Sequence, residues 1–154
     1  ALTGHLVFSS LHAKNTVSAI TRLEDLGVEK YQLTSALLLV VAQRLVRVLC
    51  PHCREPVPST GKELDELGLP FPAGLTIYRP RSCELCDQTG YQGRTGIFEL
   101  LVMDDDLRRA VHSGIDEVRL WELAASKGTR RFHEDGAAKI QAGITSVEEV
   151  VAAD

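Results

Sequence analysis

The chain has 154 residues, 44% of them apolar and 25% charged, with a formal net charge of −4 at pH 7. That composition is ordinary for a globular domain, or for one domain with an added lobe. The acidic balance argues against a broad nucleic-acid surface, which needs a basic excess, and the longest apolar run, residues 36–42, is far too short to span a bilayer.

No secretory signal is present, and the chain begins at Ala1 inside what reads as a strand, the pattern expected of a portion of a longer cytoplasmic protein. His5–Leu11 (HLVFSSL) reads as a buried strand that ends in the polar stretch His12-Ala13-Lys14-Asn15. Asn15 or Thr16 is placed to cap a helix in which Val17, Ile20, Leu23 and Leu26 recur at helical spacing, with Gly27 as its stop. A second helix is predicted over Tyr31–Val41. Gln43–Leu49 alternates polar with apolar residues and predicts a strand. Strand, helix, helix, strand predicts an α/β layer.

The stretch Pro51–Pro80 differs in kind. It is rich in proline, carries Gly61, Gly68 and Gly74, and predicts a small lobe with a short helix near Lys62–Leu67 and a strand near Leu75–Tyr78. So little apolar material calls for a metal to hold the lobe folded. Gly90, Gly93 and Gly96 then predict a turn, and Ile97–Val102 a strand.

The remainder reads as helical. Asp104 is placed to cap a helix over Leu107–His112, closed by Gly114. The run Asp104-Asp105-Asp106 fits acidic residues at a helix N-terminus, where the dipole favours them, better than a cation site. Asp116–Lys127 is amphipathic, with Val118, Trp121 and Leu123 predicted inward, and Ser146-Val147-Glu148-Glu149 is a capping box opening the last helix.

Every cysteine lies in one of two C-x-x-C pairs, Cys50-Pro51-His52-Cys53 and Cys83-Glu84-Leu85-Cys86, with 29 residues between the pairs. Two such knuckles supply four thiolates, which suits a closed tetrahedral zinc site that holds structure and leaves no position open for chemistry. Two disulfides or free thiols are the alternatives, but nothing suggests a secreted disulfide scaffold, and reduced cytosolic thiols favour metal.

The phosphate-loop pattern G-x-x-x-x-G-K-[ST] does not occur. At Gly61-Lys62, Glu63 stands where a hydroxyl is required and Pro56 where the first glycine should be. His5 and His12 lie seven residues apart, on opposite faces of a straight strand, so they form no obvious bidentate metal site. A histidine at a strand end can bond a phosphate, position a water or serve the structure alone. Arg94 lies in the glycine-rich segment Gly90–Gly96, where a flexible turn would project its guanidinium either to a phosphate on a neighbouring protomer or into a structural ion pair. Arg44 and Arg47 are further cations near that layer, and Arg130-Arg131 read as a solvated face.

Several of these stretches occur together and in order: Thr3-Gly4-His5-Leu6-Val7 to Ser10-Leu11-His12, Gln43-Arg44-Leu45, Leu49-Cys50-Pro51-x-Cys53, Cys83-x-x-Cys86, Gly90-Tyr91-x-Gly93-Arg94-Thr95-Gly96-Ile97, and Gly143-Ile144-Thr145-Ser146-x-Glu148-Glu149-Val150. Over essentially the whole chain this resembles the C-terminal portion of the type II secretion and type IV pilus assembly ATPases. The wording Ile97-Phe98-Glu99-Leu100-Leu101 leans toward the type II secretion branch, the general secretion pathway protein E type. Pilus-retraction ATPases of the superfamily lack the tetracysteine lobe.

The resemblance implies an α/β fold, the C-terminal part of a RecA-like P-loop ATPase domain with an inserted zinc-binding tetracysteine lobe and a C-terminal helical region. Residues 1–49 would end the ATPase core, 50–86 form the zinc lobe, and 87–154 form the return strand and the helical region. Cys50, Cys53, Cys83 and Cys86 would be the zinc ligands. His5 and His12 match the histidine box near the γ-phosphate, and Arg94 matches an arginine of the post-zinc motif. The family usually reads His-Thr-Asn-Asp where this chain reads His12-Ala13-Lys14-Asn15.

Such ATPases assemble as hexamers on the cytoplasmic face of the inner membrane. They engage the inner-membrane secretion platform proteins and turn ATP hydrolysis into pseudopilus or pilus extension and protein export. Walker A, the aspartate box, Walker B and the N-terminal domain that docks on the membrane-bound recruiter would precede Ala1. ATP and Mg²⁺ therefore belong to the full-length parent, and the isolated chain is expected not to hydrolyse ATP. Two other classes compete. A stand-alone zinc-ribbon module for protein or nucleic acid would show salt-dependent binding to DNA or RNA. An iron–thiolate redox protein would absorb visible light, where a zinc site is colourless.

Overall fold

The computed structural model describes residues 1–153, the side chain of Glu66 excepted. They form two compact units, each assembled from two stretches: Ala1–Ala42 with Glu99–Arg130, and Gln43–Phe98 with the chain from Arg131 onward. Strands β1 (Leu39–Leu49) and β4 (Tyr91–Val102) pair in a two-stranded sheet, and each strand contributes residues to both units.

The first unit is a helical cluster. Asn15 caps α1 (Thr16–Asp25), its side chain accepting from Ser18 N at 2.8 Å while the Ser18 hydroxyl accepts from Asn15 N at 3.1 Å. Helix α2 spans Lys30–Ala36, shorter than predicted, because Leu39-Val40-Val41 leave it for β1, where branched side chains are favoured. Asp104 caps α3 (Asp105–Ser113), and Gly114 closes it at φ +78°. Lys127 pairs with Asp104 at 3.3 Å and also with Asp106, so this acidic run is a capped and neutralised helix start. Helix α4 (Glu117–Ser126) buries Leu120 and Ala124 and turns Val118 to solvent, against expectation. The i, i+4 pair Leu120/Ala124 sets the inward face, and Trp121 and Leu123 flank it. Val17, Ile20, Leu33, Leu101, Met103, Leu107 and Val111 complete this core. Glu99 is buried here and accepts from both the backbone N–H (2.8 Å) and the hydroxyl (2.5 Å) of Thr16, at the positive end of α1.

Residues 5–11 are not a buried strand. They carry no regular structure and are exposed, Phe8 to 89%. The apolar pattern is that of a strand, but a strand exists only as part of a ladder, and among the described residues none lies beside it.

In the second unit, β2 (Glu55–Pro58) pairs antiparallel with β3 (Thr76–Arg79), Val57 opposite Ile77. The helix expected at 62–67 is a single 3₁₀ turn over Asp65–Leu67, ended by Gly68 at φ +65°. The lobe is not poor in apolar contacts. Leu64, Phe71 and Ile77 are buried with Ile140 of α5 (Phe132–Gln141) and Val150 of α6 (Val147–Ala152). The expected turn at Gly90–Gly96 is instead the start of β4, with Gly93 at φ +75°, the conformation glycine supplies at irregular strand positions.

The segment before α6 is stitched to β1. Leu49 N donates to Ile144 O (2.9 Å), and the Thr145 hydroxyl to Arg47 O (2.8 Å). Arg47 forms an ion pair with Glu149 (2.6 Å) and lies over the Tyr91 ring at 4.0 Å, while the Tyr91 and Ser146 hydroxyls meet at 2.8 Å. Burial pushes the Glu149 carboxyl up, but hydrogen bonds and charge from Arg47 outweigh it and hold it below its ordinary value. No helix among the described residues is long and apolar enough to cross a membrane.

Candidate metal centre

Two knuckles of similar construction bring the four cysteines together. In the first, which follows β1, the N–H groups of Cys53 (3.4 Å) and Arg54 (3.1 Å) both point at Cys50 O. In the second, Cys86 N (3.3 Å) and Gln88 N (3.0 Å) both point at Cys83 O, around a 3₁₀ turn over Glu84–Cys86. Asp87 and Gln88 then take left-handed conformations at φ 50° and 62°, which sharpens the exit from the turn.

All six Sγ separations are within 4.8 Å. Cys50–Cys83 is 3.9 Å, Cys53–Cys86 is 3.8 Å and Cys83–Cys86 is 3.6 Å, and none of the four is in a disulfide. A regular tetrahedron with metal–sulfur bonds of about 2.3 Å has sulfur–sulfur edges of about 3.8 Å. The donor set therefore fits one tetrahedral thiophilic ion such as zinc. Cys50 and Cys86 are buried, Cys53 and Cys83 half-buried, and His52, between the first pair, faces solvent. Four sulfurs leave no place for a substrate or water, so this centre can cross-link but cannot perform hydrolysis.

The thiols are electrostatically unequal. Burial, then hydrogen bonding among the four sulfurs, pushes Cys53 up to about 12. Burial also acts to raise Cys86, but backbone hydrogen bonds at Cys83 and Gly90 outweigh it and bring this thiol down to about 6. The Gly90 N–H lies 3.2 Å from Cys86 Sγ, and Cys53 Sγ lies 3.1 Å from Arg81 O. The sequence does not identify either backbone group as a partner of the centre. The available signal was a glycine four positions after the last cysteine.

The other expected site residues lie elsewhere. His5 and His12 stand on the exposed segment before α1, with His5 Nδ1 3.1 Å from Thr3 Oγ1. Arg94 is exposed on β4, next to the irregular position at Gly93, and not in a turn. Arg44 is engaged in the second unit, stacked 4.8 Å over the Phe132 ring and bonded to Ala153 O.

The family model described as type II/IV secretion system protein matches residues 1–152. The chain is 46% identical, over 98% of its length, to type II secretion system protein E of Dickeya dadantii. It is 44% identical over 98% to type II secretion system ATPase E of Vibrio cholerae, and 44% identical over 99% to type IV pilus assembly ATPase PilB of Thermus thermophilus. It spans 30% of the length of the two secretion proteins and 17% of the pilus protein. A match of this extent, together with the mixed helix and strand content and the four-cysteine cluster, shows that the chain belongs to the type II/IV secretion system protein family.

Proposed function

We propose that the chain is the C-terminal portion of a hexameric, RecA-like secretion ATPase of the type II branch. The parent couples ATP hydrolysis to pseudopilus or pilus assembly and protein export, at the cytoplasmic face of the inner membrane and in contact with the platform proteins there. The observation that carries this reading is the 46% identity to type II secretion system protein E over 98% of the chain. The four-sulfur cluster supports it independently.

In this reading residues 1–49 close the ATPase core, 50–86 are the zinc lobe, and 87–154 are the return strand and helical region. Cys50, Cys53, Cys83 and Cys86 hold zinc, which when bound supplies a rigid tetrahedral cross-link. His5 and His12 are solvent-accessible, as groups must be that act on a γ-phosphate held by other parts of the parent. Arg94 presents a permanently charged fork to a phosphate held by a neighbouring protomer.

Magnesium-dependent ATP turnover of the assembled full-length parent tests the reading. The parent is expected to turn over ATP and the 154-residue chain alone to show none. His12→Ala and Arg94→Ala in the parent should each lower kcat by about 10-fold or more, with nucleotide affinity changed far less. A parent without ATPase activity overturns the reading, and wild-type kcat in either variant removes that residue from the mechanism.

A further inference from the structure

We propose that Gly90 is the positioning residue of the four-cysteine centre, holding both knuckles at once from outside the ligand set. The inference rests on the reading of that centre as a metal site. Gly90 is buried and uses each of its backbone polar groups on a different knuckle. Its N–H donates to Cys86 Sγ at 3.2 Å, and its carbonyl accepts from Cys50 N–H at 2.9 Å. Gly90 is also packed against the Arg81 carbonyl, which lies 3.1 Å from Cys53 Sγ.

Only glycine fits this position. Its φ is +79°, and a Cβ would lie 2.5 Å from Arg81 O and 2.7 Å from Pro80 Cβ. A side chain must therefore displace the same carbonyl that contacts Cys53. An N–H aimed at a ligand sulfur fixes the direction of its lone pair. The residue thus sets the spacing between the knuckles and the orientation of one ligand, without touching the ion.

Gly93 provides the control. It also has φ above zero, at +75° on β4, but a Cβ there meets nothing within 4 Å. Gly93→Ala carries the backbone penalty of Gly90→Ala and none of its contacts with the centre.

The test is titration of the 154-residue chain with Co²⁺, and with Zn²⁺ against a chromogenic chelator. Gly90→Ala is expected to bind about 10- to 100-fold more weakly, the range for lost supporting contacts, and to shift the thiolate-to-cobalt absorption band. Gly93→Ala is expected to keep the wild-type affinity and band. Equal behaviour of the two variants overturns the proposal. If Gly90→Ala does not fold, the wild-type chain loaded with ¹¹³Cd²⁺ decides. The Gly90 amide proton should show scalar coupling to cadmium through the hydrogen bond to sulfur, and its absence overturns the proposal. A wild-type chain that binds none of these ions overturns the metal reading itself, and the inference with it.

Discussion

Glu99 shows what a single buried charge does in this chain. Its carboxylate is 3% exposed and satisfies both the hydroxyl and the first N–H of α1 at Thr16. Removing it leaves two donors buried without an acceptor. Glu99→Ala should therefore cost about 2–3 kcal/mol, and Glu99→Gln clearly less because an amide oxygen remains; thermal melts of the two variants compare them. Glu149 is a milder case. Its folded-state pKa lies below the unfolded one, so its contribution is complete above about pH 4.3 and is lost as the pH falls through the depressed folded value. Arg47 is half-exposed, and screening limits the pair to about 1 kcal/mol or less. Glu149→Gln should lower Tm by a small, constant amount above about pH 4.3 and converge with the wild type at low pH, which flattens the acid side of the Tm–pH curve. An unaltered acid limb would show that the pair contributes nothing.

At the scale of elements, the second unit has two separate sources of cohesion: the four sulfurs, and the apolar cluster of Leu64, Phe71, Ile77, Ile140 and Val150. Chelation should therefore release amide protection around residues 50–54 and 83–90 and largely preserve it in β2, β3, α5 and α6. Hydrogen exchange with and without chelator measures this, and uniform loss through the unit would show that the sulfurs alone hold it. Helix α5 meets α6 closely, since a Cβ on Gly136 would lie 2.5 Å from Val150 Cγ1. Gly136→Ala should lower stability by about 1–3 kcal/mol by overpacking, as denaturant unfolding would show.

The capped helices and the cysteine pairs were legible in the sequence because their signals are local: Asn15, Asp104 and Ser146 each act within one turn. β2 was not, because Pro56 and Pro58 argue against a strand unless it is an edge with a partner. Nor was the apolar cluster, whose members lie far apart in sequence. Val118 falls outside the inward face of α4, which the i, i+4 pair Leu120/Ala124 sets, so counting it inward with Trp121 misplaces that face. Residues 5–11 carry a strand pattern with no strand beside them among the described residues, and pairing is not a property of one segment.

For the molecule as a whole, Leu6, Val7 and Phe8 are more than half exposed. Surface of that kind binds apolar probes without supporting the core. Phe8→Ser should lower binding of a hydrophobic dye and shift stability by no more than about 0.5 kcal/mol, measured as fluorescence and Tm on one sample. A large fall in Tm would mean that Phe8 is packed in solution. The division of the chain into interleaved stretches has a consequence for its synthesis. Residues 1–42 are made before 43–98 but are completed only by 99–130, and residues 43–98 must wait for the chain from Arg131 onward. Each unit is thus interrupted by part of the other, and while residues 43–130 are being added both are incomplete on the nascent chain. A stop codon anywhere from 43 to 130 damages both units, and one at 131 spares the first while depriving the second of α5 and α6.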